Sequence, residues 1–254
     1  MIFKDQINNI IEFKSFPKRI ISLVPSQSEL LWDLGLRDEL VGITKFCVHP
    51  KEMFKSVERI GGTKTLNLQK IKSLNPDLII GNKEENDEKQ IVELQKEFPV
   101  WMSDIYNLQD ALFMIRTVGE IVDRAEEAIE ITNRIYTSFN QLKKMDKFVL
   151  YLIWNNPFMA AGKATFIGDM INKMGLKNVL LDSKARYPQL TLNDIKELNP
   201  ELIYLSSEPF PFGLKHIEEL KSILPQSKIQ LVDGEMFSWY GSRLLKSVRY
   251  FNQL

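Results

Sequence analysis

Leu68–Ile80 reads LQKIKSLNPDLII, and nearly the same segment returns at Leu192–Tyr204 as LNDIKELNPELIY. Eight of the thirteen positions are identical, and Asp77 and Glu201 exchange one carboxylate for another. Each copy begins with apolar residues at helical spacing and stops at Asn-Pro, because the residue before proline avoids the α region. Each then continues into a short apolar run of the kind that forms a buried strand. Self-similarity at this level is the first thing to extend, since a missed repeat misreads the whole fold.

It extends both ways. Upstream, RIISLVPSQSELLWDLGL (Arg19–Leu36) has its counterpart in KFVLYLIWNNPFMAAGKATFIGDMINKMGL (Lys147–Leu176). Each is an apolar strand, a loop, and an amphipathic helix ending in Gly-Leu. Downstream, EFPVWMSDI (Glu97–Ile105) matches KIQLVDGEM (Lys228–Met236). The chain therefore reads as two halves in which strands alternate with helices, a pattern that gives parallel sheets with helices on their faces. Between the halves lies DRAEEAIEITNRIYTSFNQLKK, Asp123–Lys144, free of Gly and Pro. Asp123 with Glu126 three positions on forms a capping-box pattern. A single helix of this length would be ~30 Å long and could join two lobes. The fold class expected is α/β, with two lobes, each a parallel sheet flanked by helices, joined by a single long backbone helix. The N-terminal lobe is 1–122, the connecting helix 123–146 and the C-terminal lobe 147–254.

Composition narrows the function. At 254 residues, 44% hydrophobic and 26% charged, the chain is an ordinary globular protein. Lys+Arg and Asp+Glu are equal at 33, so no global field draws it to nucleic acid or an anionic membrane. A lone cysteine, Cys47, makes no internal disulfide. No apolar run approaches the ~20 residues of a membrane helix, so no membrane insertion is expected. The first 19 residues carry charges at Lys4, Asp5, Glu12 and Lys14 and do not form a signal peptide. As given, the chain is expected to be cytoplasmic; a trimmed chain would be periplasmic.

In open α/β sheets ligands bind beyond the carboxyl ends of the strands. The loops after the two repeated strands are GNKEEN (Gly81–Asn86) and LSSEPFPF (Leu205–Phe212). Glu84 and Glu208 each lie 16 positions after the start of their repeat, so they occupy equivalent places on the two lobes and are expected to face an interlobe cleft.

With these residues in order, the chain resembles the periplasmic-binding-protein-like proteins with a helical backbone, and within them the cobalamin-binding proteins of ABC importers. RIISLVPSQSELLWDLGL, LVGIT and NLQKIKSLNPDLII follow the N-terminal lobe of that group in order and spacing, and the rest of the chain is similar as well. The resemblance implies non-enzymatic capture of a metal chelate, most specifically cobalamin or another corrinoid, otherwise heme or a ferric siderophore. Two rigid lobes would close on it, and no intrinsic cofactor would be needed. It also implies an ABC permease as partner. Transport members carry an acidic residue on each lobe, at the start of the repeated helix; here Gln69 and Asn193 stand there, with Asp194 and Glu197 nearby. The docking charge is lost, which points to a cytoplasmic relative that binds a ligand without feeding a transporter.

Several side chains are candidates for the ligand. His49, in FCVHP after the second strand, is either an axial ligand of a chelated cobalt or iron or a hydrogen-bonding surface residue. His216 reads as a solvated helix residue. Two histidines do not make a three-histidine site for a bare ion. Glu84, Glu85, Glu208 and Glu235 could meet cationic or amide groups, or remain solvated loop carboxylates. Lys64 in GGTK either meets an anionic group or pairs with Glu84. Trp154, Phe210 and Trp239 lead a set of aromatics suited to a flat macrocycle. Arg186 and Arg243 are anion contacts or bracing residues. The competing reading is an enzyme using Glu84 and Glu208 as acid and base on a small polar ligand. Against it, the chain has no P-loop, no G-x-S-x-G elbow and no His-Glu-x-x-His.

Overall fold

The computed structural model describes residues 1–181 and 183–254. The described chain forms two compact units, Met1–Ile105 with Gln109–Tyr136 and Trp239–Leu245, and Tyr106–Leu108 with Thr137–Ser238 and Lys246–Leu254.

The first unit opens with a small hairpin, β1 (Ile2–Lys4) and β2 (Ile10–Glu12), paired antiparallel. Its main elements follow as β3 (Ile20–Ser22), α1 (Pro25–Asp33), β4 (Leu40–Ile43), α2 (Lys51–Ser56), β5 (Glu58–Arg59), α3 (Leu68–Ser73), β6 (Leu78–Asn82), α4 (Glu88–Gln95) and β7 (Val100–Ser103). The strands form one sheet in the order β5-β4-β3-β6-β7, every pair parallel. Ile20, Ile21, Ile79 and Ile80 are fully buried, as a strand covered on both faces requires. Because the chain moves outward from β3 in both directions, the order reverses between β3 and β6, and the crevice beyond their carboxyl ends is where such sheets take ligands.

Helix α5 (Leu108–Ile121) is followed by α6 (Ala125–Asn140). The helix expected from Asp123 to Lys144 is thus 16 residues long, or about 24 Å at ~1.5 Å per residue. Asp123 does not cap it. Its φ is 59°, and Arg124 N–H donates back to Gly119 O at 2.7 Å, so Asp123 is the left-handed residue that ends α5.

The second unit holds β8 (Phe148–Trp154), β9 (Phe158–Ala160), α7 (Phe166–Lys173), β10 (Lys177–Asn178), β11 (Gln189–Leu190), α8 (Leu192–Leu198), β12 (Leu202–Ser206), α9 (Leu214–Ile223), β13 (Lys228–Val232), α10 (Gly234–Ser238) and α11 (Leu244–Phe251). Its sheet runs β11-β9-β8-β12-β13, with β10 also on β8. β8, β10, β12 and β13 are parallel; β9 and β11 are antiparallel additions, so WNNPFMAA is a hairpin rather than a plain loop. A core of Leu150, Leu152, Ile195, Ile203, Leu205 and Phe212 lies against this sheet.

The repeat is visible in detail. Asn75 and Asn199 end the repeated helices with φ of 45° and 43°. Asp77 accepts the backbone N–H groups of Lys18 and Arg19 at 2.8 Å each, and Glu201 accepts that of Phe148 at 2.9 Å. One carboxylate position in each copy thereby holds the start of its unit's first parallel strand.

Candidate functional site

In the first unit the site is assembled at the carboxyl ends of β3, β4, β6 and β7. Pro25 starts α1, an expected use of proline at a first helical position, so the helix begins three residues before the Ser28 start that apolar spacing suggests. Ser26, Gln27, Ser28 and Glu29 are consequently all buried. Gln27 Nε2 donates to Ser103 Oγ at 2.7 Å and to Gly81 O at 3.2 Å, tying α1 to the ends of β6 and β7. Asn86 Nδ2 reaches Leu23 O at 3.3 Å and Thr63 O at 3.0 Å, closing the loop after β6 over β3. Lys64 Nζ donates to the backbone carbonyls of Glu84 (2.6 Å) and Asn86 (3.1 Å), so it braces this loop through the main chain.

Glu84 is exposed, whereas Glu85 is half-buried and accepts the Tyr240 hydroxyl at 2.6 Å. Tyr240 belongs to the segment Trp239–Leu245, which packs in the first unit although it lies near the C-terminus. Burial, then the Glu85 carboxylate, hold its phenol pKa well above the ordinary value, and the Ser26 and Ser103 hydroxyls offset only part of that. The proton therefore stays on Tyr240, and Glu85 is the fixed acceptor. The same segment is anchored by Ser242 Oγ to Asp33 (2.6 Å) and by Arg243, whose guanidinium forks onto Glu29 at 2.8 and 3.1 Å. Gly241 permits this: a Cβ there would collide with Ser26 O. Arg243 is thus a bracing residue. It also covers one face of Trp239 at 4.3 Å from the ring centroid, and the ring of the half-buried His49 packs edge-on to Trp239 at 5.9 Å. The exposed apolar surface in this region is Phe46 and Val48. Cys47 is buried beneath them, 3.1 Å from both Ser28 and Thr44 hydroxyls. Burial raises its pKa despite those bonds, keeping it a thiol and an inert one.

In the second unit, Glu208 is half-buried and accepts the Ser238 hydroxyl at 2.7 Å. Each unit therefore has one carboxylate after its repeated strand oriented by a hydroxyl; in the first unit it is Glu85, one position beyond Glu84. Glu235 sits half-buried in the first turn of α10, its N–H on Asp233 Oδ1 at 3.1 Å. Trp154, 40% exposed at the end of β8, stacks edge-on to Phe210 at 5.6 Å. Behind them Phe210 and Phe212 enclose His216, which is 5% exposed and accepts the Gly213 N–H on Nδ1 at 2.9 Å. The expectation of a solvated His216 is corrected: the imidazole turns back to satisfy the start of α9. Arg186 is half-buried between two tyrosines, Tyr106 at 4.6 Å and Tyr187 at 5.7 Å.

Two features escape sequence reading. Tyr106 joins its site from a segment far away in the chain, and Tyr240, one of the candidate aromatics, packs in the first unit against Glu85; no spacing signals either placement. The buried run Ser26–Glu29 was legible only through Pro25, which marks an earlier helix start. Among the described residues, no group of three or more His, Cys, Asp or Glu is placed to hold a bare metal ion, and no helix is long and apolar enough to cross a membrane. The arrangement offers fixed hydrogen-bond acceptors beside exposed aromatic faces, which is recognition chemistry.

Residues 20–224 match the periplasmic binding protein family, and the chain belongs to it. That family is one of binding proteins, a non-enzymatic class. Over 259 aligned residues it is 25% identical to an uncharacterized ABC transporter substrate-binding lipoprotein, YvrC, of Bacillus subtilis, covering 96% of this chain and 82% of that one. Its fold is similar to the periplasmic vitamin B12 binding protein BtuF of Vibrio cholerae, with a TM-score of 0.76 and 21% identity over 93% of this chain and 96% of that one. The periplasmic heme binding protein HutB of Vibrio cholerae gives a TM-score of 0.80 and 20% identity over 92% and 97%.

Proposed function

We propose that the protein captures a metal chelate of the corrinoid, heme or ferric-siderophore kind, with a corrinoid the leading ligand, at the carboxyl ends of its parallel strands. The observation that carries this reading is the presence, in each unit, of exposed apolar side chains and a hydroxyl-held carboxylate: Phe46 and Val48 with Glu85, and Trp154, backed by the half-buried Phe210, with Glu208. A flat macrocycle needs apolar faces, and the amide groups around a corrin need fixed acceptors. The relatives named for vitamin B12 and heme support the same ligand class. His49, half-buried at the end of the loop after β4, is a candidate for axial coordination.

Transport by an ABC permease is the family's role and a proposal for this chain. Gln69 and Asn193 are both exposed and neutral. Asp194, the nearby acid, accepts the Thr191 N–H and hydroxyl at 2.7 and 2.8 Å, and those bonds lower its pKa; it is committed to the start of α8. Docking through Gln69 and Asn193 themselves would therefore rest on uncharged hydrogen bonds, with the exposed Glu197 the nearby charge not tied up in the cap.

Equilibrium dialysis of the purified protein against cyanocobalamin, hemin and a ferric siderophore tests the reading. Saturable one-to-one retention of cyanocobalamin at micromolar levels or tighter is expected. Retention of none of the three would refute it.

A further inference from the structure

Lys45 is the first exposed side chain after β4, and it is held at both ends of its length. Its N–H donates to Gly61 O at 2.8 Å, and its ammonium lies over the Phe46 ring, 5.1 Å from the centroid. Both side chains pack on Gly62, where a Cβ would stand 3.2 Å from Phe46 Cε2 and 3.4 Å from Lys45 Cε. Gly62 is fixed in turn, giving its N–H to Thr65 O at 2.9 Å and accepting that of Thr65 at 3.2 Å. The two lysines of this region are used differently. Lys64 braces the loop after β6 through the carbonyls of Glu84 and Asn86, whereas, among the described residues, the ammonium of Lys45 meets an aromatic ring and no carboxylate. A cation–π contact orients an exposed ammonium without neutralising it. Phe46 is 49% exposed and Val48 41%, so that charge stands at the margin of an apolar surface. A flat chelate laid on such a surface has its face covered, and any ionised groups project from its rim.

We propose that Lys45 is an anion-binding residue of the first unit's ligand surface: with a macrocycle against Phe46 and Val48, its ammonium receives an acidic group, carboxylate or phosphodiester, on the ligand's rim. This rests on the chelate-binding reading and sharpens it, since the ligand then carries an acid group on the side that meets this unit. Phe46 positions the ammonium, and Gly62 leaves room for both side chains. A lysine binds such a group as a point charge, so a porphyrin propionate and the phosphodiester of a nucleotide-bearing corrinoid both fall within its chemistry.

Two pairs of ligands separate those sources: hemin against its dimethyl ester, and cyanocobalamin against dicyanocobinamide, which lacks the phosphodiester. Dissociation constants are measured by tryptophan fluorescence quenching for the wild type, Lys45→Gln and Lys45→Arg. In whichever pair binds, Lys45→Gln should weaken the acid-bearing ligand about fivefold, the size of an exposed ion pair, and its partner by less than about twofold. The loss should shrink at ~0.5 M salt, where an exposed ion pair is screened, and Lys45→Arg should keep most of the preference. A loss in the hemin pair assigns a carboxylate, and one in the cobalamin pair a phosphodiester. An equal effect of Lys45→Gln on both members of a pair, or no effect on either, overturns the subsite and leaves chelate binding standing. Failure of all four ligands to bind the wild type overturns both. Matching urea midpoints for the wild type and Lys45→Gln show that a lost preference is not lost folding.

Discussion

Arg243 and Glu29 are 4% and 2% exposed and face each other with two hydrogen bonds. Removing one partner leaves a buried charge uncompensated, a loss of about 3–5 kcal/mol. Arg243→Met should therefore lower the urea midpoint sharply, and the double change Glu29→Leu with Arg243→Met should recover much of the loss. If the single and double variants unfold alike, the pair is not what anchors this segment. Trp154, by contrast, is exposed and close to Phe210, so Trp154→Ala should cost little stability but weaken chelate binding by about tenfold, or ~1.4 kcal/mol, in dialysis. Four of the seven tyrosines, Tyr151, Tyr204, Tyr240 and Tyr250, have pKa values raised mainly by burial, that of Tyr204 to about 12. A folded pKa above the unfolded value means the stabilisation is fully present below the unfolded phenol value of about 10 and is lost as pH rises above it. Resistance to urea should accordingly fall between about pH 10 and 12, and phenolate absorbance in that range should stay short of seven tyrosines until unfolding. Full ionisation with the fold intact would contradict the burial. At this scale the sequence showed which residue types were available; it did not show that Arg243 and Trp239 turn inward while Trp154 remains open.

Among the elements, the repeated helix and strand were readable because proline, asparagine and apolar spacing act locally. The join between α5 and α6 was not. Asp123 and Glu126 spell a capping box, yet the bond that forms is Arg124 N–H to Gly119 O, because the chain must reverse there and Asp123 takes the left-handed conformation. Asp123→Gly should stabilise the protein by about 0.5–1 kcal/mol, and Asp123→Val should destabilise it by at least ~1 kcal/mol, as read from chemical denaturation. A stabilising valine would show that the turn is not left-handed in solution. Thr191 and Asp194 do form the capping box of α8, and Thr191→Ala should cost about 1 kcal/mol without changing ligand affinity. The same four-residue grammar thus gives a cap where the preceding backbone is extended and a helix stop where it is not. The antiparallel strands β9 and β11 were missed for a related reason: two and three residues are too few for a period to register.

For the whole molecule, binding to the folded state alone predicts stabilisation by mass action. A chelate present at one hundred times its dissociation constant should add about 2.7 kcal/mol to the unfolding free energy, measurable as a rise in Tm, and a chelate that binds without raising Tm would be binding the unfolded chain equally well. By itself the sequence determined the α/β class, the duplicated order of elements and the loops that follow the repeated strands. Those properties are written in periods of two and 3.6 residues and in helix-stopping Asn-Pro pairs, all of them interactions between near neighbours. Only the tertiary structure decided that Tyr240 orients Glu85 rather than Glu84, that Arg243 spends its charge on Glu29, that His216 is enclosed by Phe210 and Phe212, and that Arg186 lies between Tyr106 and Tyr187. These partners, apart from the local His216 cluster and the adjacent Tyr187, are tens to hundreds of positions apart. They meet because burial of the two sheets brings their segments together, and no local pattern encodes which side chain will be facing which when that happens.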